Sequence, residues 1–115
     1  MNIRRFVHIL RYDYVRPLKH FVQRRIRGFD DSELWSLDHS LAKLILPRLK
    51  RFRKGSHGYP GCFNSWEEWC DVLDEMIVAI EYVASENYWN MNVEMDEKVS
   101  KGLKLFAEHY ESLWW

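Results

Sequence analysis

A carboxylate among leucines is the first residue of this sequence whose position suggests chemistry. Asp38 lies in "SELWSLDHSLAKLIL", and on a helix that begins at Asp30 or Asp31 it shares a face with Leu34 and Ile45. An unpaired carboxylate buried on that face would cost on the order of several kcal/mol. The sequence therefore predicts that Asp38 is either half of a buried ion pair or a polar anchor at the floor of a ligand pocket.

Basic residues close in sequence could pair with Asp38. Arg24, Arg25 and Arg27 precede it, and His57 follows in the next loop. In the structural alternative, an arginine of "RRIR" pairs with Asp38 and joins the first helix to the second. Removing one partner of such a buried pair is strongly destabilising, because the other charge stays buried.

The functional alternative places a ligand between the second helix and the "SHGYPG" loop. Asp38 and Arg27 are expected to orient a small polar ligand. Trp35 and Tyr59 would stack on it, and His57 would close the rim. Aromatic rings, an arginine and a buried acid are what a nucleotide base and its phosphate would use. This pattern predicts a non-catalytic binding protein for a nucleotide-type ligand.

A second pattern concerns metal chemistry. The acidic residues of "EEWCDVLDE" resemble the EExxE-type stripe that all-α nucleotide pyrophosphohydrolases use to hold Mg²⁺. The second acidic motif of those enzymes, ExxD, has only a loose counterpart in "EMDEK". The same spacing is typical of a solvated helix face, and the 5 histidines form no HxH or HxxxH pair. No metal or other cofactor is expected, and the Mg²⁺-dependent hydrolase is the less favoured alternative.

Helices are expected to position all of these residues. Residues 1–15 form a short helix or an extended arm, because the sequence offers no second strand to pair with them. The helix "PLKHFVQRRIR" begins at Pro17 and ends at Gly28 in a left-handed cap. The second helix continues through Pro47, which lies on its solvent side and predicts a bend without a break.

Two further helices complete the expected fold. Ser65 and Glu68 form a capping box at the start of the third helix, which ends near Ser85, and the fourth runs from about Asp96 to the end. The apolar faces are Trp66, Trp69, Leu73, Met76, Ile77, Ile80 and Val83 on the third helix, and Val99, Leu103, Phe106, Tyr110 and Leu113 on the fourth. The sequence predicts an all-α fold, a compact bundle of three long helices plus a short N-terminal helix, as one domain of residues 1–115.

The charges of the chain are distributed unevenly although they cancel. Residues 1–54 carry 14 Lys and Arg against 5 Asp and Glu, and residues 55–115 carry 3 against 12. We expect the halves to neutralise each other within the fold or across a homo-oligomer, and we find no strong nucleic-acid signal. No apolar run approaches the roughly 18–20 residues needed to span a bilayer, so no membrane partner is expected. Cys62 and Cys70, which form no CxxC pair, suit a reducing cytosol.

Part of the chain resembles a known family. The segments "RGFDDSELWSLDHSLAKLILPRLKRF", "HGYP" and "SWEEWCDVLDEM" are similar to a family of small bacteriophage proteins of unassigned function. The residues that fit its pattern are Arg27, Gly28, Trp35, Asp38 and Ala42. The resemblance implies a phage accessory protein in the host cytoplasm with an anti-defence or host-takeover role. It would sequester a nucleotide signal or, as a protein–protein interaction module, bind a host protein through a tryptophan-rich surface.

Overall fold

The computed structural model describes residues 2–9, 14–55, 58–86 and 92–114. These ranges contain helices and no strand, which confirms the all-α prediction. The α-helices are α1 (Ile3–Ile9), α2 (Arg16–Arg27), α3 (Leu37–Gly55), α4 (Trp66–Ala84) and α5 (Val93–Glu108), with 3₁₀ turns at Asp31–Leu34 and Tyr110–Ser112. The chain divides into two compact units, an N-terminal unit (Met1–Leu37) and a C-terminal unit (Asp38–Trp115). The predicted arrangement of three long helices and a short one is not confirmed.

Helix α2 has the ends that the sequence predicts. Its first turn contains Pro17, whose missing N–H would have no partner inside the helix. Gly28 ends it with φ 86°, and its N–H donates a hydrogen bond to the carbonyl of Arg24. A left-handed residue at this position favours glycine, so local sequence alone determines where α2 stops.

The second predicted helix begins later than the sequence indicates. The segment after Asp30 forms the 3₁₀ turn, and α3 starts only at Leu37. A 3₁₀ turn has about three residues per turn instead of 3.6, so Leu34 is not in helical phase with the residues of α3. Asp38, in contrast, stays in helical phase with Ala42, Ile45 and Leu49, which follow it by four, seven and eleven residues in α3.

Helix α3 continues through Pro47, as predicted. The proline lies inside Leu37–Gly55 and its side chain is exposed. On that side of the helix, water can satisfy the carbonyl of Lys43 that loses its N–H partner. The proline is thus tolerated because it faces away from the buried residues of α3, Ala42 and Leu49.

We expect Pro47→Ala to stabilise the C-terminal unit by about 1 kcal/mol. Alanine restores the hydrogen bond to the Lys43 carbonyl, and this gain outweighs the larger freedom that it gives to the unfolded chain. Thermal unfolding followed by circular dichroism would measure the change. A melting temperature lowered by several degrees would contradict the prediction and show that packing requires the proline.

The C-terminal unit has a continuous apolar core. Its buried members are Ala42 and Leu49 of α3, Trp69, Leu73, Met76, Ile80 and Val83 of α4, and Val99 of α5. The face predicted for α4 is confirmed in its centre, with Trp66 and Ile77 at the border. Ser65 caps α4 by accepting a hydrogen bond from the Glu68 N–H. The Glu68 carboxylate accepts its bond from Asn64, one residue before the predicted partner.

Helix α5 differs from its prediction in both length and face. It begins at Val93, where the Asn92 side chain accepts a hydrogen bond from the Met95 N–H. Val99 is buried, but Leu103 is 41% exposed and Tyr110 is 62% exposed. The residue that faces α4 in their place is Gly102, so the apolar periodicity of α5 gives only part of its buried face.

Ion pairs connect the acidic α4 to its two neighbours. The pairs are Arg53–Asp74 at 3.1 Å, Lys101–Glu75 at 3.1 Å and Lys50–Glu81 at 3.8 Å. The hydrogen bond from Arg53 to Asp74 raises the pKa of that guanidinium. Each exposed pair contributes less than about 1 kcal/mol. The pairs of Lys50 and Arg53 show that opposite charges from the two halves of the sequence meet within the C-terminal unit.

Candidate functional site

Two adjacent carboxylates, Asp30 and Asp31, fix the 3₁₀ turn against α2. Among the described residues, Asp30 is the buried charged side chain, with 2% of its surface exposed. Its carboxylate accepts hydrogen bonds from the Ser32 hydroxyl, the Ser32 N–H at 2.9 Å and Arg24 at 2.5 Å. The Asp30 N–H donates to the Glu33 carboxylate at 2.6 Å, which completes a capping box. The buried acid that pairs with an arginine of "RRIR" is therefore Asp30.

Asp31 makes the second set of these contacts. Its carboxylate accepts a bond of 2.8 Å from the Gln23 amide, and its N–H donates one of 2.9 Å to the same amide. Arg27 donates a further bond of 2.5 Å, and the Lys19 ammonium lies 3.7 Å away. The 3₁₀ turn is thus fixed against the polar side chains of α2. We call this set of bonds from Asp30 and Asp31 to α2 the carboxylate clamp.

The clamp lowers the pKa of both of its carboxyl groups. Hydrogen bonds from Ser32, and then from Arg24, lower the pKa of Asp30 to about 2 from its ordinary value of 3.8. Hydrogen bonds from Gln23 and Arg27 lower the pKa of Asp31. A group whose pKa is lower in the folded state stabilises that state above its unfolded pKa, and it loses this contribution as the pH falls. The clamp should therefore weaken between about pH 4 and pH 2.

We expect the amide resonance of Ser32 to titrate with a midpoint near the Asp30 pKa of about 2. Asp30→Asn should abolish that step and increase amide hydrogen exchange across α2, because a neutral amide cannot hold the Arg24 guanidinium as well. The matched variant is Asp38→Asn, which should leave both measurements unchanged. The same response in both variants would show that the clamp does not depend on Asp30.

Asp38 is not buried, which corrects the sequence prediction. It lies exposed in the first turn of α3, one turn before the first buried residue of that helix, Ala42. Within the described ranges its carboxylate has no hydrogen bond or ion pair. An acid in the first turn is favourably placed next to the positive end of the helix dipole. Asp38 is a helix-start residue, and Asp38→Ala should cost little stability.

The four predicted site residues that the structure describes belong to two different units. Arg27 and Trp35 belong to the N-terminal unit, and Asp38 and Tyr59 belong to the C-terminal unit, where Tyr59 is 47% exposed. His57 lies outside the described residues. Arg27 is engaged by the clamp through its bond to Asp31. It also donates to the Phe29 carbonyl at 3.1 Å, and its guanidinium lies 4.4 Å from the centre of the Phe29 ring.

Trp35 has different partners from Arg27. The guanidinium of Arg16 lies 4.6 Å from the centre of its ring, and the His20 ring meets it edge-on at 6.4 Å. The indole is still 68% exposed. An exposed tryptophan with an arginine against its face is a common anchor of binding surfaces.

Several acidic residues of α4 are engaged by the fold. Asp74 and Glu75 form the ion pairs to α3 and α5, and Glu68 caps its own helix. In the described part of the chain, no three His, Cys, Asp or Glu side chains are grouped so that they could hold a metal ion. Cys70 is buried in the same helix, and burial raises the pKa of its thiol, as expected for an unreactive core cysteine.

The most unusual surface of the N-terminal unit is one that the sequence analysis missed. Neither α1 nor α2 buries a residue. The exposed apolar residues of α2 are Leu18 (62%), Phe21 (53%), Val22 (43%) and Ile26 (79%). They recur at intervals of three and four residues and so share one face, which we call the α2 stripe. That spacing, in a helix with no acidic residue, was the signal available in the sequence.

No protein-family model matches the chain, and neither a curated protein nor a solved structure is found to match it. Of the helices that the structure describes, none is both long and apolar enough to cross a membrane.

Proposed function

We propose that this chain is a non-catalytic binding module in which the N-terminal unit carries the recognition surface. The observation that carries the proposal is the exposed α2 stripe in a unit whose polar contacts are already made internally. The C-terminal unit, with its continuous core, is the scaffold in this proposal. The bacteriophage origin and the host-takeover or anti-defence role in the host cytoplasm remain part of the proposal through the resemblance alone.

Exposed apolar and aromatic side chains support recognition of an extended surface over capture of a small ligand. Small-molecule sites are concave and cover most of their ligand. The predicted ligand residues that the structure describes are exposed or, in the case of Arg27, already hydrogen-bonded. Large exposed apolar patches are instead typical of interaction surfaces. The nucleotide-ligand hypothesis stays a prediction. A thermal-shift screen of nucleotides with and without Mg²⁺ tests it together with the hydrolase alternative.

Site-specific photocrosslinking tests the proposed function. A benzophenone amino acid is placed at Val22 in the α2 stripe or at Val78 in α4, which is also a valine and also 43% exposed. In bacterial cells producing the full chain, we expect adducts from position 22 and few from position 78. Equal adduct yields from the two positions, or none from position 22, would contradict the assignment of recognition to the N-terminal unit.

A further inference from the structure

The direction of the α2 stripe follows from the carboxylate clamp. The side chains that the 3₁₀ turn engages are Lys19, Gln23, Arg24 and Arg27, all on the polar side of α2. Amphipathic helices of globular domains usually cover the apolar side instead. Here the hydrogen bonds of the unit engage the polar side, and Leu18 and Ile26 are the most exposed apolar residues of α2.

The stripe is embedded in positive charge. Helix α2 contains five Lys and Arg and no acid, and the whole N-terminal unit, residues 1–37, contains eight Lys and Arg against four Asp and Glu. The unit therefore keeps an excess of positive charge after Asp30 and Asp31 have paired with Arg24, Arg27 and Lys19. Helix α1 repeats the pattern on a smaller scale, with Ile3, Phe6 and Val7 exposed beside Arg4 and Arg5. An apolar face with basic flanks is complementary to a surface that is apolar inside and negatively charged outside.

We propose that the α2 stripe docks on an anionic phospholipid bilayer and lies in its interface. The inference rests on the proposed function and names the partner of that surface. It concerns binding parallel to a membrane, which a 12-residue helix can do without being long enough to span one. Leu18, Phe21, Val22 and Ile26 enter the boundary between head groups and acyl chains, and Arg25 contacts the phosphates.

Arg25 is the residue that favours lipid over a protein partner. It lies within the apolar face, next to Phe21 and Val22, and it has no ion pair among the described residues. In a protein groove this guanidinium would need a buried carboxylate opposite it. At a lipid interface its long side chain can bend toward the head-group phosphates while its methylenes stay in contact with apolar chains. If two copies of the chain associated through the stripe, the Arg25 of one copy would lie near the Arg25 of the other. The repulsion between the two guanidinium groups disfavours such self-association.

Co-sedimentation with vesicles tests the proposal on the full chain. We expect binding to vesicles of 70% phosphatidylcholine and 30% phosphatidylserine, and binding roughly tenfold or more weaker to pure phosphatidylcholine. Binding should also weaken as salt is added, because exposed charges are screened. The readout is the amount of protein in the pellet.

Variants distinguish binding through the α2 stripe from nonspecific binding by exposed apolar residues. The double variant Leu18→Ser/Ile26→Ser should lose roughly tenfold or more of the affinity for the anionic vesicles, because two large apolar side chains no longer enter the interface. The control Val78→Ser removes an exposed apolar residue from α4 and should bind as the unchanged chain does. Circular dichroism of each variant checks that the fold is retained.

Several results would overturn the lipid assignment. These are no binding to anionic vesicles, equal losses in the stripe variant and in Val78→Ser, or a stripe variant that changes only the oligomeric mass in light scattering. A further such result is binding to a DNA duplex, by both the unchanged chain and the stripe variant, without binding to vesicles. It would show that the surface binds through its charge alone. Photocrosslinks from position 22 to protein alone, with no vesicle binding, would leave the proposed function standing and reject the bilayer as its partner.

Discussion

Trp69→Ala is expected to lower the free energy of unfolding of the C-terminal unit by about 3–5 kcal/mol, the largest effect of any single substitution considered for this chain. Trp69 is 1% exposed and is among the largest fully buried side chains of the described residues. Its ring packs against Phe63 at a centroid distance of 5.3 Å and meets His109 edge-on at 5.7 Å. The indole therefore joins the loop before α4 to the residue that ends α5.

The loss combines two physical terms. The variant no longer gains the free energy of transferring the apolar indole from water into the core. In addition, a cavity remains where Phe63 and His109 cannot close over the missing ring. For a unit of this size, the melting temperature should fall by more than about 12 °C. Differential scanning calorimetry gives the value directly.

Trp114→Ala is the matched control for that measurement. Trp114 is the same residue type but is 77% exposed, so its removal should change the melting temperature little. A small effect at both positions would mean that the ring of Trp69 is not packed as described. Similar large losses at both would mean that Trp114 contributes to the core.

Gly102→Ala is expected to destabilise the C-terminal unit by about 1–3 kcal/mol, even though alanine is the better helix former by about 1 kcal/mol. A Cβ added at Gly102 would lie 2.3 Å from the Cβ of Ala79 and 2.6 Å from the carbonyl oxygen of Glu75. The second contact is with backbone, which cannot rotate away, so α4 and α5 must separate.

Two further variants distinguish this close approach from a general effect of removing glycine. Gly61→Ala should be nearly neutral, because nothing lies within 4 Å of its added Cβ. Ala79→Gly in the Gly102→Ala background should recover part of the loss by removing one of the two contacts, while the contact with Glu75 remains. Chemical denaturation of the four proteins measures each free energy. If Gly102→Ala is more stable than the unchanged chain, the two helices do not meet at this glycine.

Short-range features of this chain were predictable because neighbouring residues alone determine them. Gly28 ends α2 since it can adopt a positive φ, and Ser65 starts α4 since its hydroxyl satisfies a first-turn N–H. The face of α4 around Leu73 and Met76 also follows from the sequence, because a strong 3.6-residue period over five turns leaves one side to bury. Pro47 lies on the exposed side of α3, as the sequence predicted.

The tertiary structure alone decided which carboxylate is buried. Asp30 and Asp38 are both acids near apolar residues, and helical counting selected Asp38. Asp38 does lie on the face of Ala42 and Leu49, but it precedes them in the first turn of α3, where it is exposed, and no donor among the described residues reaches it. Hydrogen bonds from Ser32 and Arg24 make burial of Asp30 favourable. Whether a charge can be buried depends on donors brought to it in space, which periodicity does not encode.

The outward direction of the α2 stripe and the buried face of α5 depend on tertiary contacts in the same way. The period of Leu18, Phe21, Val22 and Ile26 shows that α2 has an apolar face, but only the position of the carboxylate clamp shows that this face points away from the 3₁₀ turn. On α5, the absence of a side chain at Gly102 allows close contact with α4, and this contact turns Leu103 toward solvent. Sequence period identifies a face, and the shape of its neighbour decides whether that face is covered.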